Sequence, residues 1–281
     1  MIGVFDSGFG GLTIFESLAA RRPDLDYVYL GDHANAPYGS RRPEDILEFT
    51  RQGAARLYDM GCRLAVVACN TASAVALHTL QQRWIHHHYP GRNLVGIIVP
   101  TIEAATQTPW TIKEPVYPQK YNRQTIAVFG TQRTVDSQAY PVEIHKRCPR
   151  VRVFQQACPE LAGRIEDAAP RAELLGLIHS YCGELLRQLG GETPDYAILG
   201  CTHYPLVKDL FREALPPGVR LLCQPTAVAD SFDDYLQRHP EYVGPLSGPP
   251  LRRFLTTGDA ETVNRRSGFK LSLPVRFETV G

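Results

Sequence analysis

Short apolar runs recur along the chain, each about the length of a buried strand. A strand that helices cover on both faces is apolar throughout, without the alternation of a half-exposed strand. The runs therefore predict parallel strands at residues 2–5, 27–30, 64–68, 94–98, 126–129, 151–154, 196–199 and 221–223, with one more near 253–256.

Helix-like segments separate several of these runs. Pro43, Glu44 and Asp45 begin one segment in which apolar residues recur near helical spacing, and Gly61 closes it. Proline in the first turn and glycine just past the last turn are typical of a helix. Further helices are predicted over residues 71–84, 135–147, 171–189 and 226–237. The resulting β-α-β order predicts an α/β fold.

Two parts of the sequence resemble each other. Residues 2–7, Ile-Gly-Val-Phe-Asp-Ser, are similar to residues 126–131, Ile-Ala-Val-Phe-Gly-Thr. Val-Ala-Cys-Asn-Thr at residues 67–71 is likewise similar to Leu-Gly-Cys-Thr-His at residues 199–203. Because the order of the matching segments is the same in both parts, we infer two similar α/β halves, each of which contributes one of these cysteines.

The repeat predicts two pseudo-symmetric three-layer α/β domains with mainly parallel sheets and an active site between them. We assign residues 1–99 plus 207–281 to the first domain and residues 100–206 to the second. In parallel α/β sheets the carboxyl ends of the strands form the ligand crevice. The polar residues that follow the predicted strands are Asp6, Ser7, Cys69, Asn70, Thr71, Thr131, Cys201, Thr202 and His203.

Two of these strand ends carry a thiol. Cys69 directly precedes a predicted helix, whose unpaired N–H groups and dipole favour a thiolate. Cys201 is followed by His203, which can take or give a proton. A free cysteine is usually a small buried hydrophobe, but two thiols at matching positions of duplicated halves favour an acid/base or nucleophilic role. Asp6 could orient or deprotonate a nearby thiol.

Charge and composition narrow the class of partner. The 281 residues suffice for about two domains. Thirty basic and twenty-nine acidic residues leave a formal charge of +1, so we expect neither direct nucleic-acid binding nor a membrane partner. The seven cysteines form no Cys-x-x-Cys pair, and no basic leader or long apolar run is present. We therefore expect reduced thiols, no metal site and a cytoplasmic location.

Five motifs in order over nearly the whole chain point to one family. They are Asp6-Ser-Gly-Phe-Gly-Gly11, Pro37-Tyr-Gly-Ser40, Ala68-Cys-Asn-Thr-Ala-Ser73, Gly130-Thr-x-x-Thr134 with Ser137 and Tyr140, and Gly200-Cys-Thr-His-Tyr-Pro205. Together they resemble cofactor-independent glutamate racemase, of the aspartate/glutamate racemase superfamily. The resemblance implies a two-domain α/β isomerase that interconverts L- and D-glutamate and supplies D-glutamate for peptidoglycan, and thus for cell wall biogenesis and cell shape.

The resemblance also implies roles for individual residues. Cys69 and Cys201 would be the two acid/base thiols, assisted by Asp6 and His203, which the resemblance also implies as substrate-binding residues. The other implied substrate-binding residues are Ser7, Tyr38, Gly39, Asn70, Thr71, Thr131, Thr134, Glu166 and Thr202. The segment 162–164 before Glu166 is less apolar than is usual in the family, and Gln224-Pro225-Thr226 replaces the expected Asp-Ser-type turn.

The family further implies a homodimer that needs no cofactor. Some members bind DNA gyrase, a contact that this sequence neither supports nor opposes. Two alternatives stay open. One is a racemase of the same superfamily that acts on aspartate, a hydantoin or another amino acid. The other is a catalytically silent homologue that binds a ligand or partner. The Pro-rich segment 109–123, with Trp110, is expected to be an ordered surface loop.

Overall fold

The computed structural model describes residues 1–109, 111–112, 114–115, 124–244, 248–266 and 274–280. All strand pairings within these residues are parallel. The strands are β1 Ile2–Asp6, β2 Tyr27–Gly31, β3 Leu64–Val67, β4 Asn93–Gly96, β5 Thr125–Gly130, β6 Arg152–Ala157, β7 Tyr196–Leu199, β8 Arg220–Cys223, β9 Arg252–Thr256 and β10 Phe277–Thr279.

Helices connect the strands as crossovers. They are α1 Leu12–Arg21, α2 Pro43–Asp59, α3 Asn70–Val75, α4 Leu77–Arg83, α5 Ile85–His88, α6 Ile98–Thr106, α7 Gln132–Asp136, α8 Ala139–Arg147, α9 Leu161–Glu166, α10 Arg171–Gln188, α11 Lys208–Ala214, α12 Gln224–Arg238 and α13 Ala260–Arg266. Short 3-10 turns cover Tyr38–Ser40, Tyr204–Val207 and Pro240–Tyr242. The predicted α/β class is confirmed. Within the described residues, no helix combines the length and apolar character needed to span a membrane.

The strands form two sheets with the same internal order. A six-stranded sheet runs β10-β9-β2-β1-β3-β4, and a four-stranded sheet runs β6-β5-β7-β8. The order β2-β1-β3-β4 thus recurs as β6-β5-β7-β8. Equivalent backbone bonds follow the equivalent strands: Ala68 N–H donates to the Phe5 carbonyl, and Gly200 N–H donates to the Phe129 carbonyl. The duplicated halves inferred from the sequence are therefore present in the topology.

Each sheet has an apolar core on both faces, which makes each half three layers deep. In β1, Ile2 and Val4 belong to the core beneath α1 and α12, whereas Phe5 belongs to the core beneath α2. In β5, Ala127 and Phe129 face the core beneath α10 and α11, and the opposite core lies beneath α6 and α8. Continuous apolar strands are the expected result of covering both faces.

Several predicted boundaries shift in the structure. The run at 94–98 was expected to be one strand, but β4 ends at Gly96 and α6 begins at Ile98. Pro100 sits in the first turn of α6, where its missing N–H costs nothing. The predicted helices 71–84 and 135–147 are each divided in two, as α3 with α4 and α7 with α8. The unpredicted β10 lies beyond the strand expected to be last.

The predicted domain division differs from the strand pairing at one element. Residues 207–281 were assigned to the first domain, yet β8 pairs with β7 in the four-stranded sheet. The reason is that α11 acts as the crossover helix between β7 and β8, and a parallel β-α-β unit keeps both strands in one sheet. The chain joins the first half only at α12, which packs against α1. Most of the loop predicted at 109–123, including Trp110, lies outside the described residues.

Candidate active site

The turn after β1 brings Asp6 and Ser7 into the crevice. Asp6 is fully buried, and its Oδ1 accepts a hydrogen bond of 2.8 Å from the backbone N–H of Gly8. Its Oδ2 has no hydrogen-bond partner among the described residues. Burial raises the pKa of Asp6, and the nearby His203 opposes that rise. A buried carboxylate oxygen with a free lone pair is poised to accept a proton or a hydrogen bond.

Cys69 lies between β3 and α3, and its sulfur caps the helix. The backbone N–H of Ala72 donates to Sγ over 3.5 Å, and the Ser7 hydroxyl lies 3.5 Å from the same sulfur. Burial, with the neighbouring charge of Asp6, raises the pKa of the Cys69 thiol to about 12, although these two hydrogen bonds lower it. The neutral thiol is therefore the resting form at physiological pH.

Cys201 occupies the equivalent position after β7, but its partner is an imidazole. Its Sγ lies 3.6 Å from Nδ1 of His203, and Nε2 of the same ring lies 2.7 Å from Oε1 of Glu166. Burial disfavours the charged imidazolium, but the contacts with Cys201 and Glu166 outweigh it and raise the pKa of His203 well above its usual value. Burial also acts against the Glu166 carboxylate, yet the bond from His203 keeps the pKa of Glu166 below its usual value.

The two strand-end clusters touch each other. Gly10, in the turn after β1, packs so closely on Thr202 and the His203 ring that a Cβ there would overlap both side chains. The Thr13 hydroxyl donates to the Thr202 carbonyl over 3.0 Å. The charge of a Cys201 thiolate would further raise the pKa of Cys69, so the two sulfurs share one electrostatic environment. The glycine-rich turn therefore serves close packing between the halves.

Hydroxyl groups line a second contact between the halves. Oγ1 of Thr71 lies 3.0 Å from Oγ1 of Thr131, which lies 3.1 Å from Oγ1 of Thr134. Thr131 caps α7 and accepts from the Thr134 N–H over 3.2 Å. A Cβ at Gly39 would lie 3.1 Å from the Thr131 Cβ, so this turn also borders the threonine cluster. The geometry thus groups four predicted binding residues.

The Tyr38 hydroxyl is bonded to Asp32, an acid that the sequence did not predict for the site. The hydroxyl donates to Oδ2 of Asp32 over 2.6 Å, and the Thr257 hydroxyl donates to Oδ1 of Asp32 over 2.6 Å. Burial and the charge of Asp32 raise the pKa of Tyr38. The hydroxyl hydrogen of Tyr38 is therefore engaged within the protein. Asp32 directly follows β2, a strand end that the sequence already marked as part of the crevice.

Asn70 sits in a buried polar network with three residues that were not predicted for the site. Its Nδ2 donates to Oε1 of Gln224 over 2.5 Å, and its Oδ1 accepts from the Tyr140 hydroxyl over 2.8 Å. Nε2 of Gln224 lies within bonding distance of Asn70 Oδ1, Thr101 Oγ1 and the Tyr140 hydroxyl. The unusual Gln224-Pro225 turn noted in the sequence is the signal that could have found this network.

The thiol cluster is separate from a cavity of about 530 Å³ elsewhere in the fold. That cavity is lined by residues of α4, α6, α8 and α12, with Ser73 and Ala74 from the far side of α3, and none of the predicted site residues lines it. His86, His87 and His88 form the exposed end of α5. Twelve of the thirteen predicted site residues instead lie at or next to the carboxyl ends of the two sheets. The thirteenth, Glu166, is the last residue of α9.

Comparison with known proteins agrees with this arrangement. The model of the Asp/Glu/Hydantoin racemase family matches residues 12–231. The chain belongs to that family. A glutamate racemase of Phenylobacterium zucineum (strain HLK1) is 52% identical over 282 residues, which cover 99% of each chain. The family recognised from the five motifs is therefore confirmed.

Solved structures of family members share the fold. The chain resembles glutamate racemase isoform RacE1 from Bacillus anthracis with a TM-score of 0.82 and 29% identity, over 100% of this chain and 97% of that one. It resembles a glutamate racemase of Francisella tularensis subsp. tularensis SCHU S4, in complex with D-glutamate, with a TM-score of 0.80 and 25% identity over the same shares. The catalytic and binding roles of the individual residues stay predictions.

Proposed function

We propose that this chain is a glutamate racemase, a cofactor-independent isomerase that interconverts L- and D-glutamate and supplies D-glutamate for peptidoglycan. The observation that carries the proposal is the placement of Cys69 and Cys201. They follow equivalent strands of two repeated sheets. The turn after β1 contacts both strand ends, because Ser7 lies 3.5 Å from the Cys69 sulfur and Gly10 packs against Thr202 and His203 beside Cys201. Full-length glutamate racemases at up to 52% identity support glutamate as the substrate.

Inversion at the α-carbon needs two groups on opposite faces. A thiolate on one side takes the α-proton, and the electron pair of the broken C–H bond passes into a planar, carbanion-like state. A thiol on the other side then gives a proton to the opposite face. Each turnover leaves the protonation states of Cys69 and Cys201 exchanged, so one pair of side chains serves both directions.

The raised pKa of buried Cys69 suits the removal of a weakly acidic proton from carbon. A carbon-bound proton is weakly acidic, and a base of high pKa takes it more readily than one of low pKa. Burial and Asp6 make the Cys69 thiolate rare in the empty site, and the same factors make it strongly basic once formed. A bound α-ammonium group would provide the positive charge that favours this thiolate.

The surrounding dipoles suit a substrate with two carboxylates. The Ser7 hydroxyl lies beside the Cys69 sulfur, and the hydroxyls of Thr71 and Thr131 meet at a contact between the halves. Such fixed donors stabilise the negative charge that develops on the α-carboxylate as the proton leaves. We assign Ser7, Tyr38, Gly39, Asn70, Thr71, Thr131, Thr134, Glu166 and Thr202 to substrate binding, with Asp6 and His203 assisting both binding and proton transfer.

Deuterium exchange tests the activity directly. The protein is incubated with L-glutamate in D₂O, and the α-proton signal and the optical rotation are followed together. A racemase replaces the α-proton by deuterium while the rotation falls to zero. Parallel incubations with L-aspartate and with a hydantoin test the other substrates of the superfamily. No exchange of glutamate by folded protein would overturn the proposal and favour a silent binding protein.

The assembly and location follow from the family and from the thiols. We infer a homodimer, which sedimentation at micromolar concentration would test. All seven cysteines are free, and six of them are buried. Free thiols fit the reducing cytoplasm. A contact with DNA gyrase forms no part of the proposal.

A further inference from the structure

Gln224 lies at a junction of the two halves beneath the crevice. It is the first residue of α12, directly after β8 of the four-stranded sheet, and its side chain is fully buried. Its partners come from three other elements: Asn70 from α3, Thr101 from α6 and Tyr140 from α8. A buried amide that joins four elements has a cost in desolvation that only complete hydrogen bonding offsets.

The Thr101 hydroxyl, at one end of this network, fixes the direction of its hydrogen bonds. The Thr101 hydroxyl donates its single proton to the Ile97 carbonyl over 2.7 Å, so toward Gln224 it can only accept. Nε2 of Gln224 must therefore face Thr101, 2.9 Å away, and Oε1 must face Asn70. The orientation of the Gln224 amide is thus set by the hydroxyl of Thr101 rather than by the site itself.

The fixed amide of Gln224 then fixes that of Asn70. Because Oε1 of Gln224 can only accept, the Asn70 atom that lies 2.5 Å from it must be the donor Nδ2, and Oδ1 of Asn70 receives the hydroxyl proton of Tyr140 at 2.8 Å. If the Asn70 amide were flipped, its oxygen would face Oε1 of Gln224, acceptor against acceptor, and its nitrogen would face Nε2 of Gln224, donor against donor. Among the described residues no acceptor takes the second N–H of Nδ2. Asn70 lies between Cys69 and Thr71, two residues predicted to act on or to bind the substrate.

We propose that Gln224 is a positioning residue that holds the Asn70 carboxamide in one orientation, with its second N–H offered to a carboxylate of the bound amino acid. This inference rests on the proposed function for the identity of the ligand. Gln224 does not touch the substrate and acts only through Asn70. Both carboxylate binding and the alignment of α3 beside Cys69 depend on it.

The test compares KM and kcat for glutamate in matched variants. Gln224→Met keeps the length of the side chain but removes its amide, so Asn70 can rotate. We expect KM to rise about tenfold in both directions while kcat changes less than about threefold, because one hydrogen bond to a charged group is lost. Gln156→Met removes another buried amide, which bonds Glu184 and the Ala157 carbonyl, and should leave KM unchanged.

A double variant separates positioning from a structural role. Asn70→Ala raises KM by itself, and Gln224→Met added to it should raise KM no further. Thr101→Val, a milder change, should raise KM about threefold by releasing the Gln224 amide. An unchanged KM in Gln224→Met, or an equal KM effect of Gln224→Met with and without Asn70, overturns the proposal. If Gln224→Met fails to fold, the effect of Thr101→Val decides.

A second readout does not depend on glutamate turnover. The side-chain amide proton of Asn70 that is bonded to Gln224, identified by its loss in Asn70→Ala, should exchange more slowly with water in the wild-type protein than in Gln224→Met. If the wild-type protein fails to racemise glutamate, the proposed function fails while this measurement still judges the positioning claim. Equal exchange rates in the two proteins would contradict it.

Discussion

Cys69 and Cys201 occupy equivalent positions in the two halves, yet their surroundings differ. Each follows its strand by two residues, and each strand occupies the same place in the repeated order. The sulfur of Cys69 meets a hydroxyl and a helix N–H, with a buried carboxylate nearby. The sulfur of Cys201 meets an imidazole that is itself bonded to Glu166. The two thiols therefore have equivalent backbone positions but different neighbouring acid/base groups.

The difference teaches that a symmetric reaction does not need a symmetric site. L- and D-glutamate have equal free energies in solution, but the groups beside the two sulfurs differ. On the Cys69 side the pKa of the thiol is raised to about 12 by burial and by Asp6. On the Cys201 side the contacts with the sulfur and with Glu166 outweigh burial and raise the pKa of His203 well above its usual value. We predict that the two thiols respond differently to the same perturbation.

The largest effect is expected from removing either thiol. Cys69→Ser and Cys201→Ser should each reduce racemisation by about a thousandfold or more, because a hydroxyl is a poor base for a carbon-bound proton. Each variant should still exchange the α-proton of one enantiomer in D₂O, and the two variants should prefer opposite enantiomers. Cys148→Ser is the control, since its partner Thr108 Oγ1, 3.8 Å away, can bond a hydroxyl. Racemisation near the wild-type rate in either site variant would remove that thiol from the mechanism.

A smaller loss is expected from the imidazole. His203→Asn should lower kcat/KM by about a hundredfold, because a positioned acid/base group is lost on the Cys201 side only. The fall must be equal for L- and D-glutamate, since their equilibrium constant is one. The difference between the two thiols should appear in the exchange of the α-proton with D₂O. Exchange through Cys201 should be impaired, and exchange through Cys69 should be retained. Equal impairment of both exchanges would mean that the two thiols share one proton relay.

The ion pair between Glu166 and His203 should contribute to stability over a defined pH range. The raised pKa of His203 stabilises the fold fully below about pH 6.5, and this contribution is lost as the pH rises through the folded pKa. The lowered pKa of Glu166 stabilises it above about pH 4.5, and this is lost as the pH falls through its folded pKa.

The two contributions overlap between about pH 4.5 and 6.5. In that window Glu166→Gln should lower the free energy of unfolding by about 2 kcal/mol, measured by urea titration at several pH values. Glu173→Gln, which breaks an exposed ion pair with Arg164, should cost less than about 1 kcal/mol. A Glu166→Gln effect that is constant from pH 4 to 9 would mean that the pair is not charged.

The smallest effect concerns the reactivity of Cys69. Asp6→Asn removes the charge that helps to raise the pKa of this thiol, so alkylation by iodoacetamide at pH 8 should become several-fold faster at Cys69. Cys201 should change less. Peptide mass spectrometry resolves the two sites, and the buried Cys62 serves as an internal reference. Slower or unchanged alkylation of Cys69 would show that Asp6 does not control it.

Sequence patterns predicted the strands better than they predicted the bounds of the helices that connect them. The nine predicted strands lie within or next to observed strands because apolar runs with buried faces are a strong signal. The repeat also predicted that Cys69 and Cys201 follow equivalent strands of the two halves, as the structure shows. The pattern could not separate β4 from α6, since the run Leu94 to Ile98 is apolar throughout and a short apolar run fits either element.

Contacts between distant residues were beyond the reach of local patterns. Asp32 and Gln224 each follow a strand, so their place at the crevice edge could have been inferred. Their bonds to Tyr38 and Asn70 could not, because the first depends on how the loop after β2 folds back and the second on how the two halves pack. Glu166 was assigned through the family resemblance alone, and the structure brings it to His203 from α9. The order of the strands set where side chains meet, and the loops and the packing between the halves set which pairs formed.

The central claim concerns two sulfurs and one carbon atom. A crystal structure of the protein with D-glutamate bound would give the distances from Cys69 Sγ and Cys201 Sγ to the α-carbon. We predict both at about 3.5 Å, on opposite faces of the α-carbon. Two sulfurs on the same face, or one of them outside contact with the amino acid, would contradict a two-thiol inversion.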